Sequence, residues 1–316
     1  MVSEVSEVAR VIYPAHLDPM NRTMDKKLVI NVAPSGVFIK RQQNPNQPYT
    51  AQEIVPHVIE SYEAGAAVWH MHLRDKDGVP ESRPQVFIET IDRVLDECPD
   101  IILSHSSHAG GIKEGTAGLR PRCDPLIEAT AKYGRKYIET VVIAPARVDV
   151  QPMNEPILKE MVHYLQAHGI KPEFQGHNYT CIHHVNLWLI GPGLLSKPYV
   201  INLISGYHGY DYFGPTAPDS AGYLYLMSMM QSMPEGSVVG ATIGGHNWLP
   251  LTIFAIMLGT DCVRIGMEDT LWMYPHREEK ITRCADVVKK VATIARELGR
   301  EIATPMEARK ILGLAS

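Results

Sequence analysis

The segment Ala67-Val-Trp-His-Met-His-Leu-Arg-Asp-Lys-Asp-Gly78 sets two histidines one residue apart at the polar end of an apolar run. In an extended strand alternate residues face the same side, so His70 and His72 project together at the strand's C-terminal end. Two imidazoles at that spacing either chelate one metal ion or stand as a hydrogen-bonded pair on a polar strand end. A second segment, Val263-Arg-Ile-Gly-Met-Glu-Asp269, also turns polar at its far end. While it stays extended, Arg264, Gly266 and Glu268 alternate on one face, so Glu268 leans inward as a carboxylate ligand with Asp269 beside it. Two His and one carboxylate around an open position form a catalytic coordination pattern; the plainer reading is a surface Glu-Asp pair capping the next segment of chain.

Other polar residues fall at the ends of apolar runs. Ser104-His-Ser-Ser-His108 offers hydroxyls for a carboxylate or a carbonyl oxygen, or else makes an ordinary turn with Gly110-Gly111 behind it. Thr140 reads as β-branched packing within a strand. His177-Asn178, His208 and His246-Asn247 could line the same pocket, although each alone suits a satisfied side chain. Arg120 and Arg122 could meet a phosphate but read as solvated charges, and Met227, Met229, Met230 and Met233 suit helix packing or an interface.

The elements that must position these residues recur regularly. Short β-branched runs at 28–32, 67–72, 101–106, 137–142, 171–174, 199–204, 237–242 and 262–265 read as strands. Helix-period stretches at 50–64, 85–96, 124–133, 155–168, 182–190, 220–231, 249–258 and 277–298 alternate with them. Thr50 and Glu53 form a T-x-x-E capping box at the first helix start, and Gly65 suits a left-handed C-cap at its end. From residue 28 onward about 290 residues divide into units of about 36, the size of a strand, a helix and two loops, which predicts a closed (β/α)8 TIM barrel. No G-x-G-x-x-G follows the first strand, so an open dinucleotide-binding sheet is the weaker choice. Residues 1–27 are read as an N-terminal arm, a strap or dimer contact, beside a single catalytic domain at 28–316. Active sites of such barrels are built at the C-terminal ends of the strands, where both histidines and the Glu-Asp pair fall.

Composition narrows the function further. The chain has 316 residues and a formal net charge of −5, with no basic run, which argues against a nucleic-acid partner. No apolar run approaches the roughly 20 residues that span a bilayer. Residues 1–27 lack the pattern of a signal peptide, so a cytoplasmic location is expected. The five cysteines are scattered and contain no C-x-x-C pair, as expected of reduced, mostly buried thiols.

On these residues the chain resembles the β-keto acid cleavage enzymes, whose founding activity is 3-keto-5-aminohexanoate cleavage. The resemblance runs from about Leu28 to Leu314. It rests on Asn44-Pro45, on the segment from Thr50 through Glu53 and Ile54 to Ala64-Gly65-Ala66, and on His70-Met-His72-Leu-Arg-Asp75 with Gly78. Arg264-Ile-Gly-Met-Glu268-Asp269 and Leu298-Gly-Arg-Glu-Ile-Ala-Thr-Pro-Met-Glu-Ala-Arg309 complete it. The resemblance implies a zinc-dependent (β/α)8 barrel in which His70, His72 and Glu268 hold zinc or another divalent metal. It implies a reaction between a β-keto acid and acetyl-CoA as co-substrate, giving acetoacetate and the CoA thioester of the remaining acyl part. Asp269 would be the proton-transfer base, oriented and kept ionised by Arg264, with Ser106, or its neighbour in the alignment, completing a hydrogen-bonded triad. Ser107 and Thr140 fall where family members bind the substrate carboxylate, and a homotetramer is implied.

The chain also departs from the family. Where the founding enzyme has a T-G-A-E segment whose Glu pairs with a substrate ammonium, this chain reads Ser35-Gly-Val-Phe38. An aromatic residue there suits an apolar acyl tail or, through its π face, a quaternary ammonium. His108 intrudes in the glycine-rich turn after strand three, and Gly206-Tyr-His-Gly-Tyr-Asp-Tyr-Phe-Gly214 has no close counterpart; these loops would set the substrate. The competing reading is an amidohydrolase-like metal hydrolase, also a barrel with an H-x-H pair, for which His177, His208 and Asp269 would serve. Against it, the pair lies on the second strand and no Lys ends the fourth, since Lys136 lies at its start. A non-catalytic binding barrel is the third class.

Overall fold

The computed structural model describes residues 24–107, 115–145, 153–205 and 220–314. Eight parallel strands close into a barrel in sequence order: β1 (Val29–Val32), β2 (Val68–Met71), β3 (Ile102–Ser106), β4 (Thr140–Ile143), β5 (Lys171–Gly176), β6 (Tyr199–Ser205), β7 (Ser237–Ile243) and β8 (Cys262–Ile265). Closure is made by β1 on β8, with Val29 opposite Cys262 and Asn31 opposite Arg264. The predicted TIM barrel is the observed fold.

The helices between the strands are α1 (Ala51–Glu63), α2 (Pro84–Glu97), α3 (Thr116–Tyr133), α4 (Glu155–Ala167), α5 (Tyr179–Val185), α6 (Ser220–Gln231), α7 (Trp248–Met257) and α8 (Cys284–Glu297). At the start of α1 the Glu53 carboxylate accepts from the Thr50 amide at 2.9 Å, closing the expected capping box. Gly65 follows with a φ of +111°, a backbone that other residues rarely adopt. Helix α3 starts earlier than predicted, because it runs through Pro121 and Pro125, which the sequence pattern treats as breakers. Helix α8 starts later, at Cys284, because the preceding chain folds back on itself through the Trp272–Lys280 bridge. A helix absent from the predicted set, α9 (Pro305–Leu312), opens with its own capping box from Thr304 and Glu307.

The barrel interior changes character along its axis. Each strand alternates inward and outward residues. Outward residues such as Ile30, Trp69, Met71 and Leu103 pack under the helices in the main core. At the N-terminal end most inward residues are apolar: Val29, Val68, Ile102, Val200, Val238 and Cys262 cluster with Ala308 and Leu312 of α9. One step up the same files they become Asn31, His70, Ser104, Asn202, Gly240 and Arg264. The fold therefore has a largely apolar floor below a polar chamber that opens at the C-terminal ends of the strands. All five cysteines are buried, as expected, and no two of them form a disulfide. No described helix is long and apolar enough to cross a membrane.

Candidate active site

His70 lies within β2 and His72 directly after it, with ring centroids 5.2 Å apart. Glu268 reaches them differently from the extended path the sequence suggests. β8 ends at Ile265, and the chain turns at Gly266, whose φ is +144° and where a Cβ would overlap the Ala33 carbonyl oxygen. The turn is held by the Glu268 amide on the Ala33 carbonyl at 3.0 Å and the Asp269 amide on the Gly266 carbonyl at 3.2 Å. Glu268 thus sits between the histidines, with Oε2 3.7 Å from His70 Nε2 and Oε1 3.6 Å from His72 Nε2. Gly36, in the loop after β1, walls it from the other side, because a Cβ there would overlap Glu268 Cγ.

These three donors fit a metal ion. The ligand atoms of His70, His72 and Glu268 all lie within 4.8 Å of one another and all three residues are buried. Ligands about 2.0–2.1 Å from a tetrahedral zinc lie about 3.4 Å from each other, so the two His–Glu separations are within a few tenths of an ångström of a coordinated set. Those separations also exceed hydrogen-bond length, as expected of acceptors arranged around a shared cation and not bonded to each other.

Beside this cluster, Arg264 grips Asp269 with two parallel hydrogen bonds, Nη2 to Oδ1 at 2.6 Å and Nε to Oδ2 at 3.0 Å. The same Nη2 lies 3.3 Å from Glu268 Oε1, so one guanidinium serves both carboxylates. Asp269 is fully buried. Burial pushes its carboxyl up from the ordinary value, and this outweighs the downward pull of Arg264. The expectation that Arg264 simply keeps Asp269 ionised therefore captures one of two opposing effects.

The hydroxyls separate by environment. Ser106 is buried at the end of β3, and its carbonyl accepts from Arg122 Nη1 at 3.2 Å. Ser107 Oγ is buried and has no hydrogen-bond partner among the described residues. Thr140, in contrast, donates its hydroxyl to Glu173 on β5. Phe38, on the loop after β1, is 37% exposed. Arg122 is not a solvated charge: it lies 4.8 Å over the Phe87 ring, and burial pushes its guanidinium down to about 10. His105 points out of the barrel, with Nε2 3.0 Å from the Tyr137 carbonyl oxygen, and burial pushes it down to about 3. His177 Nε2 lies 3.1 Å from Gln175 Oε1, while His246 stacks on Trp272. His108, Gly110-Gly111, His208 and the 206–214 segment lie outside the described residues, as does nearly all of the 1–27 arm. Sequence reasoning passed over Glu173, although its inward parity between Lys171 and Gln175 was available as a signal.

Residues 27–314 match the beta-keto acid cleavage enzyme family, and the chain belongs to it. It is an enzyme of that type. A similar relative is the 3-keto-5-aminohexanoate cleavage enzyme of Acetoanaerobium sticklandii, 30% identical over 92% of this chain and 99% of its own. Another is the 3-oxoadipate:acetyl-CoA acetyltransferase of Cupriavidus necator, 27% identical over 93% of this chain and 97% of its own. Among solved structures, ObcA in a ternary complex with a C4-CoA adduct and oxalate shares the fold. Its TM-score is 0.68 and its identity 21%, over 85% of this chain and 68% of that one. The amidohydrolase alternative loses its footing: Lys136 pairs with Glu139 Oε1 at 3.8 Å ahead of β4, away from the candidate metal centre.

Proposed function

We propose that this chain condenses a β-keto acid with acetyl-CoA, giving acetoacetate and the CoA thioester of the remaining acyl group. The observation that carries this reading is the His70, His72 and Glu268 donor set beside a buried Arg264–Asp269 pair at the C-terminal mouth of the barrel. Relatives named for two different keto acids support the reaction class. A divalent ion, zinc by family, held by those three residues would polarise the keto carbonyl and offset negative charge developing on its oxygen.

The chain's own residues do the rest. Asp269 takes the proton from the carbon between the keto and carboxylate groups, and its burial, by raising its affinity for a proton, makes it the stronger base. Arg264 aims that carboxylate through its two bonds, and Ser106 is proposed to complete the hydrogen-bonded set. Ser107 is better placed than Thr140 to hold the substrate carboxylate, because the Ser107 hydroxyl has no described partner whereas that of Thr140 is held by Glu173. Phe38 faces the acyl tail and favours an apolar or quaternary ammonium group over a primary ammonium. A cytoplasmic homotetramer completes the proposal.

The test is to incubate zinc-loaded protein with acetyl-CoA and a panel of β-keto acids and to follow acetoacetate. Formation of acetoacetate with a matching acyl-CoA is expected. Intact thioester with every acid would overturn the proposal.

A further inference from the structure

Below the candidate metal centre, a carboxylate inside the barrel is tied to one of the histidines. Glu173 is almost fully buried. Its Oε1 accepts from the Ser104 hydroxyl at 3.0 Å and from that of Thr140, and its Oε2 accepts from Asn202 Nδ2 at 2.9 Å. Asn202 has room to do so because residue 240 is glycine, where a Cβ would overlap Asn202 Oδ1. Four neighbouring strands, β3 to β6, thus converge on one carboxylate, with β7 giving way to admit it.

Ser104 then makes the connection upward, its Oγ lying 3.4 Å from His70 Nδ1. A serine hydroxyl carries one proton, and a carboxylate only accepts. With that proton directed at Glu173, Ser104 can only accept from the imidazole, so Nδ1 carries the hydrogen. The lone pair is left on Nε2, the nitrogen that faces Glu268.

We propose that Glu173 is a positioning residue: acting through Ser104, it fixes the tautomer and ring orientation of His70 so that Nε2 is presented as a metal ligand. This rests on the reading of His70, His72 and Glu268 as a metal centre. Metal-ligating histidines generally give their second N–H to an acceptor that sets their orientation. Here the acceptor is a hydroxyl, and it is a one-way acceptor only because a carboxylate beneath it holds its proton. The arrangement also accounts for a buried acidic residue inside the barrel, held by Ser104, Thr140 and Asn202. Removing Glu173 would free Ser104 to donate to Nδ1, which would move the imidazole hydrogen to Nε2 and block coordination.

The experiment uses the full-length, metal-free protein labelled with 15N-histidine, at alkaline pH where imidazoles are neutral. The His70 signals are assigned by their loss in His70→Asn. The wild type is expected to show hydrogen on Nδ1. Ser104→Ala, which removes the acceptor, and the volume-conserving Glu173→Met are each expected to shift His70 toward the Nε2–H form. Both should lower zinc affinity by about 10- to 100-fold while circular dichroism stays unchanged. Hydrogen on Nε2 in the wild type would overturn the proposal, as would either variant, folded, keeping the wild-type tautomer and zinc affinity. Wild type with the expected tautomer but no zinc uptake would overturn the metal reading, and the tautomer shift in the variants would still test the relay below it.

Discussion

Substituting Gly36 by alanine tests the metal centre without altering any ligand. The Cβ built at Gly36 overlaps Glu268 Cγ, and Glu268 has little room to retreat because its amide is tied to the Ala33 carbonyl and Arg264 lies 3.3 Å from its Oε1. Restoring van der Waals contact requires a shift of about 1 Å, whereas metal–ligand distances tolerate about 0.2 Å. The carboxylate is therefore expected to leave coordination range, costing at least 10-fold in zinc affinity, as displaced supporting groups do. The assay is zinc titration with a competing chelator on wild type, Gly36→Ala and Glu268→Gln, with urea unfolding as the control for fold. Both variants should bind zinc more weakly than wild type, and metal content after purification should fall in parallel. Gly36→Ala with wild-type affinity and stability would refute the argument that this loop holds Glu268 in place. Full metal retention in Glu268→Gln would remove Glu268 from the ligand set.

Three further outcomes are expected. Asp269→Asn should keep its metal, measured by elemental analysis, yet lose about 100- to 10,000-fold in acetoacetate formation, the usual worth of a general base. Phe38→Glu should move substrate preference toward cationic acyl groups in competition assays, and an unchanged profile would count against a role for Phe38. Stability should fall on acidification through His57, which accepts from the Cys284 amide at the start of α8 at 3.2 Å and is pushed by burial from 6.5 down to about 4. Between those values the unfolded chain binds a proton that the folded one does not, so stability is full above pH 6.5 and declines toward pH 4, by up to about 3 kcal/mol. Urea midpoints across that range should be flatter in His57→Gln.

Much of the fold was legible because local rules suffice for it. Strands reveal themselves by β-branched runs, and caps such as Thr50 with Glu53 by side-chain chemistry that acts within one turn. The discrepancies are of two kinds, one where packing overrides a local rule and one where a local signal was present. Helix α3 continues through two prolines that alone would argue for a break, and α9 went unread although its Thr304–Glu307 box has the same form as the one before α1.

The site divides along the same line. His70 and His72 were readable as a pair because strand alternation puts them on one face whatever the rest of the chain does. Their meeting with Glu268 depended on a turn at Gly266 that no period predicts, where the Ala33 carbonyl oxygen just after β1 passes too close for any side chain. Glu173, Ser104 and Asn202 are separated in sequence and join only because the closed barrel brings inward residues of neighbouring strands to a common interior. Residue type and spacing therefore determined which side chains could do chemistry. Closure of the barrel decided the rest: desolvation raised the Asp269 carboxyl despite Arg264, Ser107 kept a hydroxyl without a described partner, and the Thr140 hydroxyl went to Glu173. Burial and hydrogen-bond partnership are properties of the enclosed volume, and a strand read alone has none.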